Sequence, residues 1–235
     1  MRMVFRADAS KEIGSGHVMR SSVLAEEAVS NGYECVFIGK ISGLSWVEKR
    51  ISSLGFTSIL RSEEDYAPSQ ENDILILDSY TIKLDSQFLA RKNWRSIVAI
   101  KDPSSPDYYS DVELWPSLHE KVRSSGAKIV LSGPKHLLMR KGIEKVVLHE
   151  NARGPLRVLV VGGGADQHNF AIAMASILEK YNGNFEVHFF SDQQIHSRLR
   201  STGVFITHPF GDSIDEVSRS IDLVFTTAST ASLEF

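Results

Sequence analysis

FRADASKEIGSGHVMR, residues 5–20, is the stretch whose reading decides the fold. An apolar strand over Met3–Asp8 ends in a loop carrying Gly14 and Gly16, and a helical pattern begins at about His17. In that helix Met19 and Val23, then Leu24 and Ala28, recur at four-residue spacing and predict one apolar face. Gly32 follows where a helix terminator is expected. RVLVVGGG, residues 157–164, opens a second strand–glycine loop–helix unit of the same kind. Between and after these units, apolar runs predict strands at Glu34–Ile38, Thr57–Leu60, Ile74–Asp78, Ser96–Ile100 and Lys128–Ser132, then Arg157–Val161, Phe185–Phe190, Val204–Thr207 and Leu223–Thr226. Helices are expected at His17–Asn31, Ser45–Leu54, Ser86–Lys92, Gln167–Tyr181, Gln193–Ser201 and Ser213–Ser220. Strands alternating with helices argue for parallel sheets covered on both faces. The expected class is therefore α/β, with two Rossmann-like lobes facing a cleft. Residues 1–140 form the first lobe and residues 155–235 the second. The break falls in the glycine-, proline- and lysine-bearing stretch Met139–Leu156.

The bulk properties are those of an ordinary globular protein. The chain has 235 residues, of which 42% are apolar and 23% charged. A net charge of -3 lacks the basic footprint of a nucleic-acid binder. No apolar run reaches the roughly 20 residues of a spanning helix, so no membrane insertion is expected. The N-terminus lacks a signal-peptide core. The single cysteine, Cys35, lies in an apolar strand and reads as core. Together with the absence of an internal disulfide, this suits the cytoplasm.

In doubly wound sheets, ligands sit beyond the carboxyl ends of the strands, and four clusters fall there. In the first, free N–H groups at the helix start favour an anion. The same partial positive charge disfavours protonation of His17, and a neutral imidazole is what a general base requires. Asp8 is placed to orient that imidazole or to bind a sugar amide or hydroxyl. Arg20, one turn on, meets a phosphate or faces solvent. A helix-capping histidine beside a plain glycine turn is the competing reading. The second cluster, VVGGGADQHN (160–169), suits a diphosphate cradled by backbone N–H groups. It is neither a dinucleotide fingerprint nor a P-loop. Asp166 can cap the following helix without touching ligand, and His168 and Asn169 sit in its first turn, His168 exposed. The third, TTASTASLEF (226–235), offers Ser229 and Thr230 to line a nucleotide pocket, with Glu234 one turn further to accept hydrogen bonds from ribose hydroxyls. An exposed first helical turn explains it equally. The fourth, LILDSY (75–80), is a buried strand ending in Asp78, Ser79 and Tyr80. Tyr80 is suited to bind substrate or a catalytic water, although most tyrosines in such places only pack. Lys101 and Asp102 end the next strand and are cleft residues on the same reasoning. The histidines show no metal-ligand spacing, and there is no Gly-x-Ser-x-Gly nucleophile elbow.

These clusters, in this order, resemble the UDP-2,4-diacetamido-2,4,6-trideoxy-β-L-altropyranose hydrolases of pseudaminic acid biosynthesis. FRADASKEIGSGHVMR is the most specific part. LILDSY, SGPKHLLMRKGI, VVGGGADQHN and TTASTASLE match in spacing and character. The resemblance implies a B-type glycosyltransferase fold, similar to that of the transferase that adds N-acetylglucosamine in peptidoglycan synthesis. It also implies release of UDP by water attack at the anomeric carbon, without a metal or other cofactor. His17 is implied as the base, Tyr80 as the strand-end tyrosine, Gly163, Gly164, Ala165 and Asp166 as the nucleotide loop, and Glu234 as the ribose ligand.

Two departures from the family stand out. Its paired acidic residues after the fifth strand are Lys101–Asp102 here, and its asparagine-bearing segment reads VELWPSLHE over residues 112–120. The family also continues by at least a strand and a helix beyond the position of Phe235, so a truncated second lobe with a weakened UDP pocket is expected. The expected partner is a UDP-sugar substrate. The oligomeric state is not legible. Two alternatives stay open: a UDP-sugar glycosyltransferase of surface polysaccharide biosynthesis, and a catalytically silent nucleotide-sugar binding protein.

Overall fold

The structure, a computed structural model, describes residues 1–119, 121–123, 126–141, 154–166, 168–181, 183–195, 203–211 and 214–227. The chain divides into two compact units, Met1–Ser10 with His17–Leu138, and Lys11–Gly16 with Met139–Phe235.

The elements of the first unit are β1 (Arg2–Ala7), β2 (Ala9–Ser10), α1 (Gly16–Ser30), β3 (Glu34–Ile38), β4 (Ile41–Ser42), α2 (Ser45–Ser53), β5 (Ser58–Leu60), β6 (Asp73–Asp78), β7 (Ser96–Ile100), β8 (Val112–Trp115) and β9 (Ile129–Ser132). Seven of the strands form one sheet in the order β5-β3-β1-β6-β7-β8-β9. Every pairing in it is parallel. The central strands β1 and β6 carry unbroken apolar runs, Val4–Phe5 and Ile74–Leu77, because a parallel sheet is buried on both faces. Val4, Val36, Leu75, Leu77, Ile97 and Ala99 build one core face, with Phe88 and Trp94 inserted into it. Strand order reverses between β1 and β6. Beyond their carboxyl ends lies the topological switch point of the sheet, where doubly wound folds bind ligands.

The second unit contains β10 (Leu156–Val161), α3 (Phe170–Leu178), β11 (Phe185–Phe190), β12 (Val204–His208), α4 (Ile214–Ser218) and β13 (Leu223–Thr226). Its four strands are also parallel, in the order β12-β11-β10-β13. Alternate residues of β10 serve the two faces. Val158 and Val160 pack with Ala171 and Ala175 of α3, whereas Leu159 and Val161 pack with Ile214 of α4. Both units are thus parallel α/β bodies of the expected class.

Four local expectations are corrected. The buried side of α1 is His17, Val18, Arg20, Ser21, Ser22, Ala25 and Ala28, while Met19, Val23 and Leu24 are only half-buried. Small and hydrogen-bonded polar residues fill the tight side, which an apolar count misses. The expected helix Ser86–Lys92 is instead two 3₁₀ turns, Gln87–Leu89 and Arg91–Asn93. Trp94 Nε1 donates to the Phe88 carbonyl at 2.6 Å, and Asn93 Nδ2 donates to the Gln87 carbonyl at 2.7 Å. Strand β8 was not foreseen because a glutamate interrupts its apolar run. Glu113 is fully buried in it and accepts from Trp115 Nε1 at 3.1 Å. Finally, the residues 193–195 are not helical, and the rest of the helix expected there lies outside the described residues.

Cys35 is buried in β3, and burial, followed by the neighbouring charge of Glu34, pushes its thiol up to about 11. It is a core residue rather than a nucleophile.

Asp73, at the start of β6, ties the amino edge of the sheet together. It accepts from Arg2 Nε and Nη2 at 2.8 and 2.9 Å, from the Ser69 amide at 2.7 Å and from the Tyr66 hydroxyl at 2.9 Å. Burial works against its charge, but the Arg2, Ser69 and Tyr66 hydrogen bonds outweigh it and hold the carboxyl below its ordinary value. The stability this contributes is present above the unfolded carboxyl value of about 3.9 and is lost as pH falls through the lower folded value. Asp73→Ala should destabilise the first unit by about 3 kcal/mol in urea unfolding at neutral pH. The deficit should shrink on acidification below about pH 4. A deficit that does not change with pH would deny Asp73 this role.

Candidate active site

Strand β6 ends at Asp78, and the chain then turns sharply. Ser79 Oγ accepts from the amides of Thr81 and Ile82 at 3.2 and 3.3 Å, and this turn leaves Tyr80 41% exposed. Across the switch point, the loop after β1 delivers the first turn of α1. His17 and Arg20, three residues apart, face the same way on a helix and meet Asp78.

Asp78 is buried, with 1% of its surface exposed. Its Oδ1 lies 2.5 Å from His17 Nδ1. Arg20 forks onto the same carboxylate, Nε to Oδ2 at 3.0 Å and Nη2 to Oδ1 at 2.8 Å. A guanidinium only donates, so the fork uses both oxygens of Asp78 as acceptors. The proton in the short His17–Asp78 contact must therefore sit on Nδ1. The 3.1 Å approach of Arg20 Nη2 to the same Nδ1 is then a close contact between two donors. With Nδ1 protonated, a neutral His17 carries its lone pair on Nε2. This is the arrangement in which a carboxylate fixes the tautomer of a histidine base.

Arg20 also reaches Asp102, which follows β7, with Nη1 and Nη2 each 3.2 Å from Oδ2. Burial opposes the charge on Arg20, but Asp78 and then Asp102 attract it strongly enough to raise its pKa well above the ordinary value. The Tyr80 hydroxyl donates to Asp102 Oδ2. The Tyr80 ring stands perpendicular to that of His17, with centroids 4.2 Å apart. Burial, then the Asp102 hydrogen bond, raises the phenol, so Tyr80 stays protonated. Burial would raise Asp102, but the Tyr80 hydrogen bond and Arg20 hold it low.

The sequence-level candidates are distributed as follows. His17, Arg20 and Tyr80 come together. Arg20 neither faces solvent nor stands free for a phosphate; it is buried between two aspartates. The carboxylate on His17 is Asp78, not Asp8. Asp8 instead clamps strand ends, with Oδ1 accepting from the Lys40 amide and Oδ2 from Thr81 Oγ1, both at 2.8 Å, and with Arg6 Nη1 2.8 Å away. Gly14, with φ 81°, and Gly16, the first residue of α1, flank the loop before His17. A side chain at Gly16 would meet open space. Lys101 is buried, its Nζ donating to the Pro106 carbonyl and lying 4.3 Å from the Tyr108 ring centroid.

In the second unit the glycine loop follows β10. Asp166 turns back on its own helix, Oδ1 accepting from the Phe170 amide at 2.7 Å and Oδ2 from the Ala171 amide at 3.2 Å. A Cβ at Gly162 would sit 2.1 Å from Asp166 Oδ1, so glycine there admits the capping carboxylate. Gly163, with φ 84°, requires a residue without Cβ strain. Gly164 and Ala165 are half-buried in the same loop. Asn169 caps α3 from the left-handed region, φ 51°, and His168 is exposed. Asp166 thus caps the helix, as its place in the sequence suggests, and its side chain already engages the first two amides of α3. Ser229, Thr230 and Glu234 lie outside the described residues.

No family model matches the chain. It is 23% identical over 188 residues to the UDP-2,4-diacetamido-2,4,6-trideoxy-beta-L-altropyranose hydrolase of Campylobacter jejuni, covering 77% of this chain and 66% of that protein. It is 25% identical over 203 residues to an uncharacterized protein of Methanocaldococcus jannaschii, covering 80% of this chain and 42% of that one. The chain therefore spans just under two thirds of the first relative and less than half of the second. The crystal structure of MurG from Acinetobacter baumannii superimposes with a TM-score of 0.47 at 11% identity, covering 99% of this chain and 74% of that one. The sequence likeness is thus to a protein named for action on a nucleotide sugar.

Proposed function

We propose that the protein hydrolyses a UDP-linked 2,4-diacetamido-2,4,6-trideoxy sugar to free sugar and UDP. The observation that carries the reading is the buried Asp78–His17 pair at the switch point, which leaves Nε2 as a proton acceptor. The named relative supplies the substrate class.

In the reaction, His17 Nε2 takes one proton from a water molecule as its oxygen bonds to the anomeric carbon. The bond from that carbon to the diphosphate oxygen breaks, and the electron pair leaves on UDP. The second proton stays on the new sugar hydroxyl. The imidazolium that forms is balanced by Asp78, and its extra proton then passes to solvent. Arg20 fixes Asp78 in place through its two-point fork. The glycine loop Gly162–Ala165 offers backbone amides to the diphosphate.

The test is incubation with a panel of UDP-diacetamido sugars, following UDP. Release without acceptor supports hydrolysis. Release only on adding an acceptor means a transferase, and binding without release means a binding protein. Among the described residues no three or more His, Cys, Asp or Glu side chains gather as a metal site, so turnover should survive EDTA. Activity lost to chelator and restored by magnesium would reverse that expectation.

A further inference from the structure

We infer that Asp102 is a positioning residue that commits the Tyr80 hydroxyl to hydrogen-bond acceptance, so that Tyr80 and His17 hold the reacting water by both of its protons. The inference rests on the hydrolytic reading above and adds to it a role for two residues beyond the base.

The argument is one of donor counting. A phenol has a single proton, and in Tyr80 it is spent on Asp102 Oδ2. Asp102 is well placed to keep it. The same Oδ2 lies within 3.2 Å of both Arg20 nitrogens, and Oδ1 accepts from the Ser104 amide at 2.9 Å. The carboxylate is held ionised and the phenol protonated by the same set of contacts. The Tyr80 oxygen therefore has only lone pairs to offer a third group. His17 Nε2 likewise offers a lone pair, because Nδ1 is committed to Asp78.

The two acceptors belong to neighbouring rings, perpendicular with centroids 4.2 Å apart, and a pair of acceptors suits the two O–H bonds of one water. A water that donates both protons keeps its oxygen lone pairs free for the electrophile. Had Tyr80 been a donor, it would have bound one of those lone pairs and blunted the nucleophile. During attack, one water proton moves to His17 Nε2 and the other stays on the product hydroxyl. Tyr80 keeps its own proton throughout. The Arg20 bridge from Asp78 to Asp102 makes the two acceptors parts of a single assembly.

The experiment uses the full chain with Asp102→Asn, Tyr80→Phe and the double variant. Two measurements are made. In the first, steady-state UDP release, Asp102→Asn and Tyr80→Phe each lower kcat by about tenfold, the scale of one hydrogen bond, with KM nearly unchanged. Asp102→Asn in the Tyr80→Phe background then costs no more than about twofold, since contacting residues that act together are non-additive. The second is alkaline titration of tyrosine absorbance. The chain has six tyrosines, and subtracting Tyr80→Phe isolates one phenol. That phenol titrates at distinctly lower pH in Asp102→Asn than in the wild type, a shift that a purely structural role of Asp102 does not require. If Asp102→Asn lacks a cooperative unfolding transition, Asp102→Glu, which retains the charge but displaces it, is measured in the same two ways. Losses in kcat that multiply independently, or a Tyr80 titration that does not move, overturn the inference. A wild type that releases no UDP from any sugar defeats the hydrolytic reading instead. The phenol titration still decides the Asp102–Tyr80 link in that case.

Discussion

His17→Ala is expected to lower UDP release about 100- to 10,000-fold, the usual contribution of a positioned general base, while UDP binds almost as before. The loss is expected in turnover because the proposed base, His17, belongs to the first unit and the proposed diphosphate loop to the second. The variant should stay folded. Asp78 loses one donor but keeps the Arg20 fork at 2.8 and 3.0 Å, so no charge is left unpaired. Calorimetry with UDP and initial rates on the same preparation separate binding from chemistry. Near-normal turnover would remove His17 from the mechanism.

Asp78→Asn should be almost as damaging to rate, and it should also cost stability. An amide has one oxygen and one NH2 group, whereas the site asks both atoms to accept. If the amide oxygen faces His17, its NH2 group confronts Arg20 Nε. If it is flipped, NH2 confronts His17 Nδ1 and drives the proton to Nε2, making a donor of the nitrogen that should accept. The first outcome weakens a buried ion pair, which costs about 3 kcal/mol when one partner's charge is removed. The second gives the wrong tautomer, for which rate losses of about 100-fold or more are typical. Urea unfolding and kcat should therefore fall together. Full activity in Asp78→Asn would mean that the His17 tautomer does not matter.

How much of this was legible beforehand depended on the kind of information each residue carries. Strand positions came through well. Glu34–Ile38, Ser96–Ile100, Phe185–Phe190 and Leu223–Thr226 fall where the apolar runs place them, because a parallel sheet buried on both faces must be written in consecutive apolar residues. Strand β8 did not come through, since the burial of Glu113 is satisfied by a neighbour that periodicity cannot show. The site divides in the same way. His17 and Tyr80 were visible as strand-end and helix-start residues. Asp78 stood inside a noted motif, but 61 residues separate it from His17, and only the parallel register of β1 with β6 brings the two ends together. Arg20 was misjudged for the same reason. A lone arginine on a helix reads as solvated until two aspartates from distant strands are seen around it. The orienting role offered for Asp8 falls to Asp78 instead, because nearness in sequence to His17 is a poor guide to neighbours in space.

The Asp166 carboxylate on the first amides of α3 has a thermodynamic consequence. It is an intramolecular ligand, tethered a few bonds from its receptor and present at the high effective concentration that short tethers confer. An external anion gains those two amides only by exchange, so its net reward is the difference between two similar interactions rather than the whole of one. Occupancy of this end of the second unit should then depend on how many loop amides an incoming group can span at once. Extended, multiply charged groups gain over compact ones such as inorganic phosphate. Discrimination of that sort would arise from a carboxylate that never touches the ligand it helps to select.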